Sequence, residues 1–139
     1  MYRKILLAVD GSENSLRAAK EAIKIASLNT ASKIEILYVI AYSKTKNEVL
    51  HSHGKEELEF SRRKKISPIE EQVKSENVPY EIKILHGEPG PTIIEYANKE
   101  QFDIVVIGSR GLNSLQEMVL GSVSHKVLKR VDCPVLIVK

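Results

Sequence analysis

The residues of this chain best suited to chemistry are glycines and serines in two groups near its end. Gly108-Ser109-Arg110-Gly111 follows an apolar run, and nine residues separate it from Gly121-Ser122-Val123-Ser124. Glycines let backbone N–H groups approach a ligand because no Cβ stands in the way. A helix that begins after Gly121 leaves its first N–H groups without intrahelical partners, which favours an anion. The two groups predict a phosphate site made of a glycine turn and a helix N-terminus, with Arg110 adding positive charge.

The same pieces also have a purely structural interpretation. Glycine turns followed by a serine-capped helix occur in many α/β proteins that bind nothing at that point. Gly111 and Gly121 close both ends of one loop, and this combined spacing favours the anion site. The sequence contains neither G-x-x-x-x-G-K-[ST] nor a G-x-G-x-x-G after its first apolar run, so the two most familiar nucleotide motifs are excluded.

A second candidate lies near the start of the chain, where Asp10-Gly11-Ser12 ends an apolar run. In one interpretation Asp10 caps a turn. In the other its carboxylate meets a ribose, an adenine amino group or a phosphate-bound Mg²⁺. No pair of nucleophile and general base is evident, so we predict no catalytic residue. His51-Ser52-His53 could bind a metal but lies in a polar segment without paired carboxylates, and a solvated loop is the better interpretation.

Elements that could position these groups alternate along the chain. Apolar runs predict strands at 5–9, 34–40, 80–84, 103–108 and 134–138, and helical spacing predicts helices at about 14–28, 55–76, 92–100 and 123–130. Ser12 or Asn14 can cap the first helix. Ser67-Pro68-Ile69-Glu70 has the form of a capping box with proline at the first helical position, and it predicts a kink or a restart in the second helix. Residues 41–54 are polar and predict a loop.

Strands separated by helices are typical of an α/β, doubly wound fold with a parallel sheet. In such sheets ligands bind outside the carboxyl ends of the strands, where the strand order reverses. Both candidate groups follow a predicted strand, so we expect them at that edge. The third strand alternates apolar and charged residues, which is typical of an edge strand.

Length and composition exclude several classes of protein. The 139 residues predict one domain, 1–139, and the 42% hydrophobic and 28% charged fractions exclude disorder. No apolar run approaches the ~20 residues of a membrane span. A net charge of +3 does not by itself argue for nucleic acid, so we expect neither a membrane nor a nucleic-acid partner. The one cysteine, Cys133, indicates a reducing compartment, and we expect a cytoplasmic protein.

At these residues the sequence resembles the universal stress protein family over essentially the whole chain. Residues 4–12 are similar to that family's first strand and turn, and residues 133–138 to its last strand. The family's motif, G-x-x-G-x9-G-[ST], is matched at Gly108, Gly111, Gly121 and Ser122. The resemblance implies a five-stranded, Rossmann-like sheet of the adenine nucleotide alpha hydrolase-like type, with strand order 3-2-1-4-5 and helices on both faces.

The resemblance also implies ATP binding, because the intact motif is typical of the family members that bind ATP. Asp10 and the backbone of Val39 would contact the adenine and ribose end, and Ala8 and Val9 would line the pocket. The residues bordering the ribose and phosphates would be Gly108, Arg110 and Gly111. The residues holding the phosphates would be Gly121, Ser122, Val123 and Ser124. A divalent ion, Mg²⁺ or Mn²⁺, would accompany the phosphates.

We therefore predict an ATP-binding regulatory protein of the universal stress response, with a downstream protein partner that the sequence does not identify. The alternative is a slow ATPase or a phosphotransferase that modifies itself at Ser109, Ser122 or Ser124. The lack of a placed base and of a second carboxylate near the motif favours binding over turnover. A third hypothesis is an interaction module with an empty pocket.

The predicted last strand indicates an assembly. With order 3-2-1-4-5 it lies at an edge of the sheet, yet Val135–Val138 is continuously apolar. Soluble proteins cover such edges, because an exposed one is a template for aggregation. We predict a two-fold homodimer paired through this strand, as the family resemblance also implies.

Overall fold

The computed structural model describes residues 2–41, 54–110 and 120–139. The predicted loop at 41–54 lies outside the described residues except at its two ends, and so does Gly111 of the glycine motif. Within the described ranges, no helix combines the length and the apolar character that crossing a membrane requires.

Strands and helices alternate through these ranges. The strands are β1 (Lys4–Val9), β2 (Lys33–Ile40), β3 (Tyr80–His86), β4 (Ile104–Gly108) and β5 (Val135–Val138). The helices are α1 (Glu13–Ala26), α2 (Lys55–Ser75), α3 (Pro89–Glu100) and α4 (Ser122–Arg130). The five strands pair in parallel in the order β3-β2-β1-β4-β5. The predicted α/β class and the strand order that the family resemblance implies are both confirmed.

Helices cover the sheet on both faces, which explains why β1 is apolar at every position from Ile5 onwards. Side chains alternate between the two faces of a strand. Ile5, Leu7 and Val9 therefore pack with residues of α1 and α2. Leu6 and Ala8 pack with residues of α3 and α4 on the other face. Strand β3, at the edge, mixes half-buried and exposed positions, as its alternating sequence predicts.

Helix α1 begins at one of the two predicted caps. The Oγ atom of Ser12 accepts a hydrogen bond from the N–H of Ser15 at 3.3 Å, so Ser12 is the N-cap and Asn14 is not. The buried stripe of the helix contains Ala18 and Ala22 and continues into the first turn through Asn14 and Ser15. The buried face of α1 is therefore polar at the end that lies nearest the carboxyl edge of the sheet.

Of the kink or restart predicted at Ser67-Pro68, helix α2 contradicts the restart, while the kink stays a prediction. It runs without interruption from Lys55 to Ser75 with Pro68 inside it. A proline inside a helix removes one hydrogen bond and costs roughly 3 kcal/mol. Ile66, Ile69 and Val73, on both sides of Pro68, are buried against the sheet. This packing offsets the local cost and keeps the helix continuous.

The later helices begin earlier than predicted. Helix α3 starts at Pro89 and not at Thr92, because a proline fits the first helical turn, where its missing N–H has no intrahelical role. It ends at Glu100, and the C-cap residue that follows, Gln101, has a left-handed φ of 53°. Helix α4 starts at Ser122, one residue before the predicted Val123. Both shifts place helix starts closer to the strand ends than the sequence pattern indicated.

Strand β1 lies at the centre of the sheet and sets the geometry of its carboxyl edge. It pairs with both β2 and β4, and the register places Ala8 beside Leu37 and Ile107. The chain beyond β1, β2 and β4 therefore leaves the sheet along one edge. The strand order reverses between β1 and β4, which is where open α/β sheets bind ligands.

Candidate functional site

The start of α4 is the part of this edge best suited to an anion. Its N-cap, Gly121, has φ −68° and ψ 160°, and no side chain of the described ranges caps the helix. The N–H of His125 donates to the carbonyl of Gly121 at 2.9 Å, which closes the first helical turn. The N–H groups of Ser122, Val123 and Ser124 have no acceptor inside the helix. They are positioned to donate to a bound anion.

The helices that follow β1 and β3 are less suited to an anion. At α1 the cap position is taken by the side chain of Ser12, and Glu13 places a carboxylate in the first turn. At α3 two of the first three residues, Pro89 and Pro91, carry no N–H. The first turn of α4 contains no acidic residue, so no carboxylate of that turn offsets the positive end of its dipole.

Two hydrogen bonds hold the start of α4 against the end of β4. The N–H of Gly121 donates to the carbonyl of Ser109 at 2.6 Å, and Ser124 Oγ donates to the carbonyl of Gly108 at 2.5 Å. The structure therefore brings Gly108 and Ser109 of the first group against Gly121 and Ser124 of the second. Ser109 and Ser124 are each only 3% exposed, whereas Ser122 is exposed. Because the Ser124 hydroxyl is bound within the protein, its N–H is the group that Ser124 can offer a ligand.

Gly108 has a packing role that the sequence analysis did not assign. A Cβ at this position would lie 2.7 Å from the Cβ of Asn14 and 3.2 Å from the carbonyl carbon and oxygen of the same residue. Helix α1 therefore packs with its first turn directly on the end of β4. Glycine is needed here for the contact between a helix and a strand, independently of any ligand.

Asp10 ends β1 and is half-buried. Its Oδ1 accepts hydrogen bonds from the N–H of Ser12 and the hydroxyl of Ser15, both at 2.9 Å. Between Asp10 and Ser12, Gly11 adopts a φ of 84°, which glycine tolerates without strain. The turn-capping interpretation of Asp10 is therefore confirmed. The same bonds hold its carboxylate at the edge that the start of α4 shares.

The apolar residues implied to line a pocket are buried near the ends of their strands. Ala8 is 4%, Val9 7% and Val39 9% exposed. Ala8 and Val39 lie on the face covered by α3 and α4, while Val9 packs on the opposite face. Arg110 is half-buried directly after Ser109. Each predicted site residue that the structure describes therefore lies at or beside the carboxyl edge.

Sequence reasoning missed Asn14 as a part of this edge. Asn14 is 8% exposed, and its Nδ2 donates to Ser109 Oγ at 3.3 Å. It lies one helical turn before Ala18 and two before Ala22, both of which are in the core. A polar residue in phase with the apolar stripe of a helix was the available signal.

Other candidate groups contribute no site in the described residues. Residues 2–41, 54–110 and 120–139 contain no group of three or more His, Cys, Asp and Glu side chains that could hold a metal. Burial raises the pKa of the half-buried Cys133 thiol, which disfavours the reactive thiolate. His51 and His53 lie outside the described residues.

Solved structures with this fold include several named as universal stress proteins. A structure of protein MJ0577, from Methanocaldococcus jannaschii, superposes with a TM-score of 0.85 at 32% identity, covering all of this chain and 96% of that one. The universal stress protein UspA from Lactobacillus plantarum superposes with a TM-score of 0.82 at 25% identity, covering 99% and 98% of the two chains.

Sequence comparison gives the same result. Universal stress protein MJ0531 of Methanocaldococcus jannaschii is 35% identical over 150 residues, which cover all of this chain and 83% of that protein. Universal stress protein YxiE of Bacillus subtilis is 34% identical over 157 residues, covering both chains in full. The model of the universal stress protein family matches residues 1–139. The sheet order, the glycine motif and this full-length match establish that the chain belongs to the universal stress protein family.

Proposed function

We propose that this protein binds ATP at the carboxyl edge of its sheet and acts as a regulatory protein of the stress response. The observation that carries the proposal is the start of α4, where three successive N–H groups have no intrahelical acceptor and no capping side chain of the described ranges. Such a helix start favours phosphate through its N–H groups and its dipole together. It lies beside the point where the strand order reverses.

The phosphates are assigned to the start of α4 and to the residues that follow β4. The N–H groups of Ser122, Val123 and Ser124 donate to phosphate oxygens, and the exposed Ser122 hydroxyl adds a further donor. Arg110 contributes positive charge where the chain leaves β4. Gly108 and Gly111 border the ribose and phosphates, with Gly121 at the start of the helix.

The adenine and ribose are assigned to the ends of β1 and β2. Asp10 accepts from a ribose hydroxyl or an adenine amino group, the backbone of Val39 meets the base, and Ala8 and Val9 form the apolar floor. Mg²⁺ is commonly held by one or two carboxylates together with phosphate oxygens and water. We propose that Mg²⁺ or Mn²⁺ enters with the nucleotide on its phosphate oxygens, and Asp10 is a carboxylate that would hold the ion if the phosphates, and not the ribose or adenine, reach the end of β1.

Proteins of the same fold support an adenine nucleotide as the ligand. A universal stress protein has been solved in complex with cAMP, an Arabidopsis thaliana family protein with AMP bound, and the Archaeoglobus fulgidus protein in complex with dAMP. Their TM-scores to this chain are 0.71, 0.69 and 0.74, at 24%, 21% and 20% identity. At these identities the likeness concerns the fold alone. It supports the proposal only by showing that this fold can accommodate an adenine nucleotide.

Nucleotide identity and affinity together test the proposal. Mass spectrometry of the gently purified protein reports whether ATP, ADP or no nucleotide is bound. Calorimetric titration with Mg-ATP then compares wild type with Gly121→Val, for which we expect an affinity at least about tenfold lower, or about 1.4 kcal/mol. The φ and ψ of Gly121 are accessible to valine, so the change adds bulk at the cradle without straining the backbone.

Two further variants sharpen the titration. Ser122→Ala removes one hydroxyl and leaves the helix N–H groups in place, so it should cost roughly 1 kcal/mol. Arg63→Ala, on the exposed side of α2, should leave the affinity unchanged. If folded Gly121→Val binds Mg-ATP as tightly as wild type, the phosphates lie elsewhere. Equal losses in Gly121→Val and Arg63→Ala would indicate a diffuse basic surface.

The alternative function, self-modification with ATP, now has one favoured acceptor. Of the three serines considered, Ser109 and Ser124 are buried and hydrogen-bonded, while Ser122 is exposed beside the proposed phosphates. Incubation with labelled ATP and Mg²⁺ should label wild type and not Ser122→Ala if this reaction occurs. Binding without label, at a turnover far below the ~1–100 s⁻¹ of kinases, would support the regulatory binding protein.

We also propose that two copies of the chain pair through β5. All four residues of Val135–Val138 are half-buried at the edge of the sheet. The N–H groups of Val105 and Ser109 donate to the carbonyls of Pro134 and Val138. In a parallel ladder this directs the N–H groups of Val135 and Ile137 away from β4. These groups are available to a strand of a second copy.

A further inference from the structure

Ser109 joins three elements at the cradle. Its N–H donates to the carbonyl of Val138, in β5, at 2.7 Å. Its carbonyl accepts the N–H of Gly121, at the start of α4, at 2.6 Å. Its Oγ accepts a hydrogen bond from the Nδ2 of Asn14, in α1, at 3.3 Å. At 3% exposure, Ser109 reaches these partners within the protein interior, so its position determines where the Gly121 N–H lies.

Asn14 is itself held from the opposite side. Its Oδ1 accepts a hydrogen bond from the guanidinium of Arg17, one turn along α1. The Nε of Arg17 also donates to the carbonyl of Lys139 at 2.8 Å. Asparagine suits this place because its amide group can donate one hydrogen bond, here to Ser109, and accept another, here from Arg17. A series of hydrogen bonds thus runs from the end of β5 through α1 to Ser109.

The backbone around Asn14 leaves little room for movement. The Cβ position of Gly108 lies 2.7 Å from the Cβ of Asn14, so the first turn of α1 and the end of β4 are in direct contact. Ser12 and Asp10 hold the same turn from its other side. The Asn14 side chain is consequently a fixed point against which Ser109 is held.

We propose that Asn14 is a positioning residue for the nucleotide cradle: through Ser109 it sets the Gly121 N–H and hence the direction in which the first N–H groups of α4 face the phosphates. The inference rests on the proposed nucleotide function and adds a residue that the glycine motif does not contain. Small displacements of such groups lower affinity, because a phosphate bound by several N–H groups needs all of them in place at once.

Asn98 supplies a matched control. It also bridges two elements with both ends of its amide: its Nδ2 donates to the carbonyl of Arg130 at 3.2 Å, and its Oδ1 accepts the N–H of Asp132 at 2.9 Å. These bonds hold the opposite end of α4. Asn98→Ala therefore removes the same side chain and also deletes one donated and one accepted hydrogen bond, but it does so away from the cradle.

The experiment measures the Mg-ATP affinity and the urea stability of wild type, Asn14→Ala and Asn98→Ala. We expect Asn14→Ala to bind about tenfold more weakly, a loss typical of a misplaced binding group. Asn98→Ala should lose stability but bind Mg-ATP as wild type does. If Asn14→Ala does not fold, Ser109→Ala takes its place, since it deletes only the hydroxyl that Asn14 contacts. Unchanged affinity in the folded variant, or an equal loss in Asn98→Ala, would overturn the inference.

Amide exchange separates this inference from the proposed function. If wild type binds no adenine nucleotide, the proposed function is wrong, and the exchange of the Gly121 N–H still decides the role of Asn14. We expect that N–H to exchange about tenfold faster in Asn14→Ala than in wild type, because its acceptor Ser109 is no longer held. It should exchange at the wild-type rate in Asn98→Ala. Equal exchange in wild type and Asn14→Ala would overturn the positioning role.

Discussion

Replacing Gly108 by alanine should destabilise the protein because of packing, before any ligand is considered. Carbon atoms in contact lie about 3.5–4.0 Å apart. The new methyl would lie 2.7 Å from the Cβ of Asn14, so the two groups must separate by about 0.8 Å or more. Strand β4 is held between β1 and β5, and the first turn of α1 is held by its cap, so neither element can move without losing other contacts.

The expected magnitude follows from the atoms that the methyl meets. Overpacking a core costs typically ~1–3 kcal/mol. The upper part of this range applies, because the neighbouring atoms are the Cβ and backbone of Asn14 and not the end of a flexible side chain. Replacing glycine also lowers the conformational entropy of the unfolded chain, which stabilises the folded protein by about 0.4–1 kcal/mol and offsets part of this cost. We expect Gly108→Ala to lower the free energy of unfolding by about 2 kcal/mol.

Urea unfolding followed by circular dichroism measures the effect. With a slope of about 1–3 kcal/mol per molar urea, a loss of about 2 kcal/mol moves the midpoint down by roughly 1 M at an unchanged slope. Gly90→Ala is the matched control, because its new Cβ would lie 3.0 Å from the Cδ of Lys126, an exposed and flexible chain that can move aside. As a helical glycine, Gly90 should tolerate alanine with no loss. Equal midpoints for wild type and Gly108→Ala would refute the packing argument.

Three further predictions concern other contacts. Tyr96→Phe removes the hydroxyl that donates to Glu35; burial and, after it, this hydrogen bond raise the pKa of Tyr96. We expect the change to lower the free energy of unfolding by about 1–2 kcal/mol, and Tyr80→Phe, at a more exposed hydroxyl, to lower it less. The carboxylate of Asp103 accepts hydrogen bonds from the backbone N–H groups of Lys4 and Arg3, both at 2.9 Å, and these bonds are the main reason that its pKa lies below the usual 3.8. The ionised carboxylate therefore stabilises the fold above pH 3.8, and this stabilisation is lost as the pH falls through the folded-state pKa. Urea unfolding should therefore find Asp103→Asn weaker than wild type by about 1 kcal/mol at neutral pH and the two alike in strong acid; a constant difference would contradict this. Sedimentation should find wild type and Ile137→Ala dimeric and Ile137→Pro monomeric, since only the proline removes the outward N–H of the edge; a monomeric wild type at micromolar concentration would refute the pairing through β5.

The sequence alone determined the class of fold, because its signals are local. A continuous apolar run such as Ile5–Val9 is typical of a strand buried on both faces, and helices between such runs favour a parallel sheet. The strand order came from the family resemblance, not from periodicity. Spacing also identified the halves of the glycine motif, since a glycine turn and the start of a helix can each be recognised from a few neighbouring residues.

Only the tertiary structure decided how these pieces are used. The Ser67-Pro68 pattern predicts a kink or a restart. Burial of Ile66 and Ile69 on either side keeps α2 continuous, which excludes the restart, and no local rule contains that packing energy.

The same holds for Gly108 and Asn14, which are 94 positions apart in the sequence. A Cβ added at Gly108 would lie only 2.7 Å from the Cβ of Asn14. A glycine's local sequence indicates that a side chain is not wanted there, but not which atom would collide with it. That depends on how α1 crosses the sheet after β1 and β4 have paired, which is a long-range contact that neither residue's neighbours encode.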